Sequence, residues 1–519
     1  MRTTRLKNGG RPIAFLAAAC LMLTACGGSD DGQSGGGASA ESITVIKTVM
    51  SPALDPALIG NLPYQLGGMA SDAIYDSLFW IDPEGETHYS LAKDLSTEDG
   101  KSWRLTLNEG IEFSDGTPLT AEAVKFSWTR LTDPELGAAA ATTVAQIGSM
   151  EVVDDLTLDF VLLASNFTFP YAVSDTALNS IVPTTADDDR EAFGRQPIGA
   201  GPFTVESWSP DNTVSLVKNT NYFRADEGLP KLGKIVILDH LDSATATDIW
   251  LSGEAQLRAT PDRMRPDDVE SVGGSVLNTT LHGGVALAFN TSRPPFDDVR
   301  ARRAVAAALD SSMFAETASM GLEPPAETLM APDSFFADPE LVQRHDPELA
   351  QELFNELATE GKPVKFTFQG LPTTVATAFG NYLASTLGSY ENVSVDVMTG
   401  DLSAYIEALR SEQFHAILNP FQGAHPDTAF YSAFSSDSPT NYMKWVDKDA
   451  TDALKAARAT QNQDEAREQY VIFQERVIDQ APAKFLLQTT GTVEVASGMD
   501  GLQMTAFGRV ILTEATYTP

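Results

Sequence analysis

The strongest fold signal in the chain is the stretch of residues 103–128, WRLTLNEGIEFSDGTPLTAEAVKFSW. Its first part, Trp103–Phe113, alternates apolar and polar residues, which predicts a β-strand. Ser114–Pro118 supplies the residues of a turn. Thr120 then suits a helix N-cap, and Glu122 lies near the positive end of that helix. Four apolar residues fall on one helix face: Ala121, Val124, Trp128 and Leu131.

The rest of the chain mixes strands and helices without strict alternation. Alternating or β-branched runs predict further strands at Ile43–Val49, Phe203–Trp208, Thr213–Lys218, Ile235–Leu241 and Val285–Phe289, with a hairpin over Val152–Leu163 around Asp154-Asp155. Apolar residues at helical spacing predict two further helices, one with Ala301, Val305, Ala308 and Leu309 and one with Ala466, Tyr470, Phe473 and Val477. Such a mixture predicts α/β lobes with an antiparallel-rich insertion.

Charge excludes one large class of partner. The 519 residues contain 71 acids against 35 bases, a formal net charge of -36. A protein that binds the phosphate backbone must neutralise it with Lys and Arg, so nucleic acid is not expected as a partner. An acidic surface also repels anionic headgroups. A membrane contact would therefore need a covalent lipid or an apolar anchor.

The N-terminus offers such an anchor. Basic residues precede an apolar run, Pro12–Leu23, that is too short to span a bilayer of roughly 30 Å as a helix. The run ends in Leu23–Cys26, LTAC, which resembles the lipobox of bacterial lipoproteins. The resemblance implies a signal peptide over residues 1–25, lipidation of Cys26 and a Gly/Ser-rich flexible tether over residues 26–42. A plain secretory signal with a chance cysteine is the alternative.

Catalytic signatures are missing from the sequence. Cleavage before Cys26 would remove Cys20 and leave one cysteine, already alkylated, so neither a disulfide nor a thiol nucleophile is expected. No Gly-x-Ser-x-Gly and no His-Glu-x-x-His motif occurs. The six histidines are scattered, and the acidic run Asp187–Asp189 lacks the other residues of a calcium loop. We therefore expect no catalytic residues, no metal site and no cofactor.

Several separated stretches together resemble one family, the extracytoplasmic solute-binding proteins of peptide- and nickel-type ABC transporters, family 5. The most specific is the stretch at residues 103–128. The others are LDP from Leu54, SDAIYDSLFWIDPEG from Ser71, PIGAGPFTVESW from Pro197, NTNYF from Asn219, LAFNTSRPPFDDVRARRAVAAALD from Leu287, NYMKW from Asn441 and QAPAKFLL from Gln480. They span nearly the whole chain beyond the tether.

The resemblance implies a two-lobed clamp of the periplasmic-binding-protein fold, class II or cluster C type, with an extra α+β domain inserted into lobe I. Carried over, lobe I is residues 43–61, 180–280 and 487–519. The insertion is residues 62–179, and lobe II is residues 281–486. The chain would cross between the lobes near His282 and Leu487, and the lobes would close on a ligand because the shut form binds it better.

The resemblance also suggests a ligand site. In peptide-binding relatives a Trp-Gly-Asp segment of lobe II pairs its carboxylate with the ligand's ammonium group. The matching stretch here is Phe421–Asp427, and Ala424 stands at the position of that carboxylate, which puts capture of peptides through their N-terminus in doubt. The expected ligand-binding residues are Phe421, Gln422, His425, Asp427, Asn441, Tyr442 and, from the facing side, Tyr64. Structural roles stay open for Asn441, Tyr442 and Tyr64.

The function implied is that of a lipid-anchored, monomeric substrate-binding component of an ABC importer, outside the cytoplasmic membrane. It would capture a small solute, with oligopeptide as the favoured cargo, and deliver it to the membrane permease. The alternatives are an oligosaccharide, a metal chelate or another non-peptide solute on the same fold. A non-transport surface receptor and an extracytoplasmic enzyme are the alternatives from other classes.

Overall fold

The first strand of the fold, Ser42–Lys47, lies in the middle of a seven-stranded sheet. It pairs in parallel with Lys234–Asp239 on one side and with Leu257–Ala259 on the other. Ile43 and Val45 are buried in the core of this sheet, and Ile46 is buried on its opposite face. Burial on both faces explains the β-branched, apolar sequence of this strand. The strands follow in the spatial order Ser275–Thr280, Thr490–Val495, Leu257–Ala259, Ser42–Lys47, Lys234–Asp239, Thr213–Lys218 and Phe203–Ser209.

The computed structural model describes residues 41–47, 53–59, 64–209, 213–239, 242–260, 263–319, 321–371, 373–399 and 402–519. Residues 39–519 form one compact unit. The predicted signal peptide, Cys26 and nearly all of the tether lie outside the described residues. Within them, none of the helices combines the length and apolar composition needed to cross a bilayer.

A second, five-stranded sheet organises the chain from residue 282 to residue 487. Its central part is the antiparallel pairing of His282–Phe289 with Ala416–Gly423. Leu287 and Phe289 pack into one core and Ala286 and Ala288 into another, so both faces of this strand are covered. The strands follow in the spatial order Val393–Thr399, Val364–Gly370, Ala416–Gly423, His282–Phe289 and Ala483–Leu487.

A four-stranded antiparallel sheet carries the core of residues 79–181. Its strands follow in the order Ala92–Thr97, Ser102–Leu107, Thr157–Leu162 and Ile147–Asp154. Trp103, Phe160 and Trp128 meet in its core, with the rings of Trp128 and Phe160 edge to face at 5.2 Å. Three short two-stranded pairs complete the strands: Phe79–Ile81 with Thr87–Tyr89, Met499–Asp500 with Thr516–Tyr517, and Gln503–Met504 with Val510–Ile511.

Helices cover the sheets. The α-helices are Pro56–Ile59, Tyr64–Tyr75, Ala121–Arg130, Ala141–Val144, Phe169–Ser174, Arg190–Arg195, Ser243–Leu251, Pro266–Ser271, Val299–Ala308, Ser311–Ala318, Pro347–Thr359, Thr374–Leu387, Leu402–Arg410, Pro426–Phe434, Lys448–Arg458 and Gln463–Gln480. Short 3₁₀-helices occupy Ala177–Asn179 and Ala225–Glu227.

The chain passes between the two large sheets at two places. Leu281 separates Ser275–Thr280 of one sheet from His282–Phe289 of the other, and residues 488–489 separate Ala483–Leu487 from Thr490–Val495. The Gln488 side chain donates hydrogen bonds to the carbonyls of Leu281 and Gly283, which ties the two crossings together. These places adjoin the predicted crossings at His282 and Leu487.

Most local predictions are confirmed. Thr120 caps the helix Ala121–Arg130 by accepting a hydrogen bond from the Ala123 amide, and the four predicted apolar residues are buried. The predicted hairpin forms between Ile147–Asp154 and Thr157–Leu162. The strand predicted over Trp103–Phe113 ends earlier, at Leu107. There the Asn108 side chain donates from Nδ2 to the carbonyls of Ser90 and Ala92, and Gly110 at φ 75° turns the chain.

Candidate functional site

The main cavity, named for its position rather than its size, lies where the four-stranded domain faces the five-stranded half. It measures about 650 Å³. One wall comes from residues 141–146, 163–164, 172 and 175–176, and the other from residues 422–458 of the half built on the five-stranded sheet. Phe507 adds a contact from the C-terminal segment. The cavity is therefore lined by parts of the chain that are far apart in sequence.

The four-stranded domain and the five-stranded half touch each other directly beside the cavity. The backbone N–H of Phe167 donates a hydrogen bond of 2.7 Å to the carbonyl of Arg458. The rings of Tyr171 and His425 lie 4.7 Å apart. The structure thus holds the two halves against each other around the cavity.

A side pocket of about 200 Å³ extends the main cavity into the five-stranded half. It brings together three of the predicted ligand-binding residues, Phe421, Gln422 and Tyr442. Four residues line both spaces: Gln422, Thr428, Ser432 and Thr440. An amide and three hydroxyls at the junction, with aromatic rings behind them, suit a polar solute with an apolar part.

Phe421 forms the apolar floor of the side pocket. It lies near the end of the strand Ala416–Gly423, opposite Gly284 of the neighbouring strand. Its ring packs 5.0 Å from that of Phe434 and 6.0 Å from that of Phe485. The side chain is buried, so packing fixes its position in the pocket.

His425 caps the helix Pro426–Phe434. Its Nδ1 accepts a hydrogen bond of 3.1 Å from the Asp427 amide, and the Thr428 hydroxyl and the His425 backbone complete a capping box. Burial lowers the pKa of His425 to about 4. The ring is therefore neutral near pH 7 and carries its proton on Nε2. It lines a separate pocket of about 500 Å³ rather than the main cavity.

Asp427 lines the main cavity, but its carboxylate already has a partner. Arg458 donates to both of its oxygens, at 2.9 Å and 2.7 Å. The guanidinium carbon of Arg458 also lies 3.3 Å from the ring centre of Tyr431. Both charges are buried, and the pair leaves this part of the wall neutral. A ligand contact of Asp427 stays a prediction.

The remaining predicted residues differ in their surroundings. The buried Asn441 side chain donates hydrogen bonds to the carbonyls of Ser435 and Trp445, so it stabilises the local backbone. Tyr442 is 45% exposed at the rim of the side pocket. Tyr64 begins the helix Tyr64–Tyr75, and its side chain lies outside the described part of the chain. Their roles as ligand contacts stay predictions.

Sequence reasoning missed Asp175. This residue lines the main cavity directly after the helix Phe169–Ser174 and is 9% exposed. Burial raises its pKa to about 7, against the opposing effects of the Arg509 charge, the Ala424 amide and the Thr428 hydroxyl. Arg458 was missed as well. No motif marks either residue, because each is placed at the cavity only by the packing of distant segments.

Among the described residues, one group of side chains has the composition of a metal site. Asp82, Glu86 and His88 place their ligand atoms within 4.8 Å of one another at a hairpin turn. Nε2 of His88 lies 2.7 Å from Asp82, and the His88 ring stacks on Trp80 at 4.0 Å. Asp82 and His88 are thus paired with each other within the hairpin, and none of the three residues lines the main cavity.

Two α/β halves, joined by two crossings and closed over a cavity, define a solute-binding protein of the periplasmic-binding-protein fold. The chain belongs to the bacterial extracellular solute-binding proteins, family 5, whose model (described as family 5 Middle) matches residues 86–442. The resemblance seen in the sequence is thereby confirmed. Proteins of this family are non-enzymatic transport components, so the expectation of no catalytic activity is confirmed too.

Individual relatives are more distant. The chain is 27% identical over 304 residues to the glutathione-binding protein GsiB of Salmonella paratyphi A. The aligned region covers 57% of this chain and 58% of GsiB. The chain thus spans less than two thirds of the length of the curated relatives it matches. The fold matches that of the binding protein AgaA from A. tumefacien, solved with agropinic acid, with a TM-score of 0.78, 20% identity and coverage of 92% of this chain and 98% of AgaA. It matches the murein tripeptide binding protein MppA of Escherichia coli with a TM-score of 0.76, 20% identity and coverage of 91% and 97%.

Proposed function

We propose that this protein is the substrate-binding component of an ABC importer. It captures a small solute, with oligopeptide as the favoured class, and presents it to a membrane permease. A lipid on Cys26 holds it outside the cytoplasmic membrane, as the LTAC sequence suggests. The observation that carries the proposal is the main cavity of about 650 Å³ between two halves of the chain.

The size and lining of the cavity support this class of ligand. Small-molecule sites typically measure about 300 to 1,000 Å³, and the volume of the main cavity falls in this range. A folded protein is too large for a cavity of this volume. The polar groups at its junction with the side pocket can bind peptide amides. The relatives' names point the same way, since they mention glutathione and a murein tripeptide.

The arrangement of the sheets supports the clamp mechanism and the proposed lobes. The seven-stranded sheet uses strands from residues 42–280 and 490–495, whereas the five-stranded sheet uses only residues 282–487. We assign lobe I, the insertion and lobe II accordingly, with the boundaries predicted from the sequence. A ligand held by both walls stabilises the closed form by the difference between its affinities for the closed and open forms.

The test is binding of a defined probe. Native mass spectrometry of the protein, freed of bound solute by unfolding and refolding, should show retention of peptides from a random mixture of tripeptides to pentapeptides. Small-angle scattering should show compaction on addition of the same mixture. Retention of no peptide, together with an unchanged scattering curve, would contradict the proposal.

Phe421→Ala tests the placement of the site. Because the ring forms the floor of the side pocket, the variant should lose about tenfold or more in affinity for the retained peptides. Phe335→Ala is the matched control, since that ring is 49% exposed and lies outside both linings. Equal affinities for the two variants would remove Phe421 from the site.

A further inference from the structure

Asp175 holds an unused hydrogen-bond acceptor beside the main cavity. Its side chain is more than nine-tenths buried, and its Oδ2 has no hydrogen-bond partner among the described residues. A buried polar atom without a partner is unfavourable unless something else satisfies it. Because the residue lines the cavity, a rotation of its carboxylate brings this oxygen to a donor of a bound solute.

The charges of the cavity lining do not balance without a ligand. Its acids are Asp175, Asp427 and Asp437, and its only base in the described lining is Arg458. Asp427 is paired with Arg458, and Asp437 is paired with Lys455 from outside the lining. Asp175 forms no ion pair among the described residues, so its ionised form leaves an uncompensated negative charge at the cavity.

The surroundings of Asp175 only partly compensate that charge. Arg509, whose positive charge acts on Asp175, pairs with Asp72 and donates to the Ser174 carbonyl, so it is shared. Asp175 also directly follows the helix Phe169–Ser174, where the backbone carbonyls disfavour an anion. A cation from the ligand would therefore relieve an existing electrostatic deficit.

Asp175 also lies where the two walls meet. The Ala424 amide and the Thr428 hydroxyl, both on the opposite wall, help to stabilise its anion. A ligand group bound at Oδ2 is consequently next to the segment Phe421–Asp427, at the edge of the predicted site. Ala424 itself contributes no charge there. Contact with both walls at once is what favours the closed form.

We propose that Asp175 is the anionic anchor of the site, pairing its free Oδ2 with a primary ammonium group of the bound solute. This inference rests on the proposed function and narrows it to solutes with an amine, such as peptides with a free N-terminus. The carboxylate then comes from the insertion and not from the segment Phe421–Asp427.

The experiment compares two forms of one probe on three proteins. Random tripeptides to pentapeptides, with free or N-acetylated amino termini, are titrated onto the wild type, Asp175→Asn and the control Asp188→Asn. Asn keeps the shape of the side chain but not its charge. Asp188 is exposed and outside the lining, so its variant removes the same formal charge at a distance.

Acetylation should weaken binding to the wild type and to Asp188→Asn by at least about thirtyfold, as expected for loss of a buried charge pair. Asp175→Asn should bind the free peptides at least about thirtyfold more weakly than the wild type and should distinguish the two forms by less than about threefold. If wild-type protein binds both forms equally, the inference is overturned, whether or not the variant folds.

Two other outcomes separate the two proposals. Free peptides that bind wild type and Asp175→Asn with equal affinity overturn the anchor but leave the proposed function standing. Failure of the wild type to bind either form of the mixture overturns the proposed function and the anchor with it.

Discussion

Replacing Asp175 by Asn should stabilise the ligand-free protein in a pH-dependent way. Burial raises the pKa of Asp175 from an ordinary 3.8 to about 7. Below the lower value both the folded and the unfolded protein carry the proton, so the carboxyl has no effect. Between the two values the unfolded chain ionises first, and folding loses about 1.4 kcal/mol for each pH unit.

The full effect is reached above the upper pKa. The ionised, buried carboxylate then destabilises the folded protein by about 4 kcal/mol, an upper bound from the two pKa values. Asn lacks this charge. The gain in the free energy of unfolding should therefore be close to zero near pH 4, rise toward neutrality and stay constant at higher pH. The Arg509–Asp72 and Arg458–Asp427 pairs are present in both proteins and cancel in the difference.

The assay is urea unfolding of both proteins, freed of solute, at a series of pH values, followed by circular dichroism. The urea midpoint of Asp175→Asn should exceed that of the wild type at pH 8 and coincide with it at about pH 4. Asp188→Asn, at an exposed acid, should change the free energy by no more than about 0.5 kcal/mol throughout. A difference that does not vary with pH would refute the reasoning.

Three further outcomes follow from features already described. Asp427→Ala should lower the free energy of unfolding by about 3 to 5 kcal/mol, because it leaves the buried Arg458 without its partner, and chemical denaturation measures this. Gly283→Ala should lower the free energy of unfolding by more than about 2 kcal/mol, because Gly283 has a φ of 86° and the new methyl group would lie 2.0 Å from a backbone oxygen. Gly110→Ala is the control: Gly110 also has a positive φ but has open space around it, so this variant should lose only about 1 kcal/mol. Cys26→Ser should abolish lipidation, which mass spectrometry would show as loss of the diacylglyceryl group and detergent partitioning as loss of the protein from the detergent phase. If the variant and the wild type differ in mass only by the exchange of Cys for Ser, the proposed anchor is contradicted.

The parts of the fold that sequence reasoning predicted depend on neighbours in the chain. The helix after Thr120 is specified by a cap that reaches three residues along and by an apolar face with helical spacing. The hairpin at Asp154 is fixed in the same way, because the Asp154 carboxylate accepts the amide of Leu156. Local rules were sufficient for both.

The site depends on contacts that local rules do not contain. The segment Phe421–Asp427 was located through family resemblance. The helix Pro426–Phe434, which has the unusual cap His425, was not predicted. Asp427 satisfies its charge with Arg458 on another helix. Asp175 is buried beside Ala424 and Thr428, which are far from it in sequence. Burial and pairing of these groups are properties of the assembled cavity.

The position of Ser42–Lys47 in the seven-stranded sheet has a consequence for secretion. In a polypeptide that emerges N-terminus first, this strand has no partner until residues 234–239 have followed it. The sheet is completed later still, because Thr490–Val495 lies between Leu257–Ala259 and Ser275–Thr280. Pairing over such sequence separations is slow. In a molecule that is being exported, this sheet should therefore stay unfolded until almost the whole chain has left the export channel.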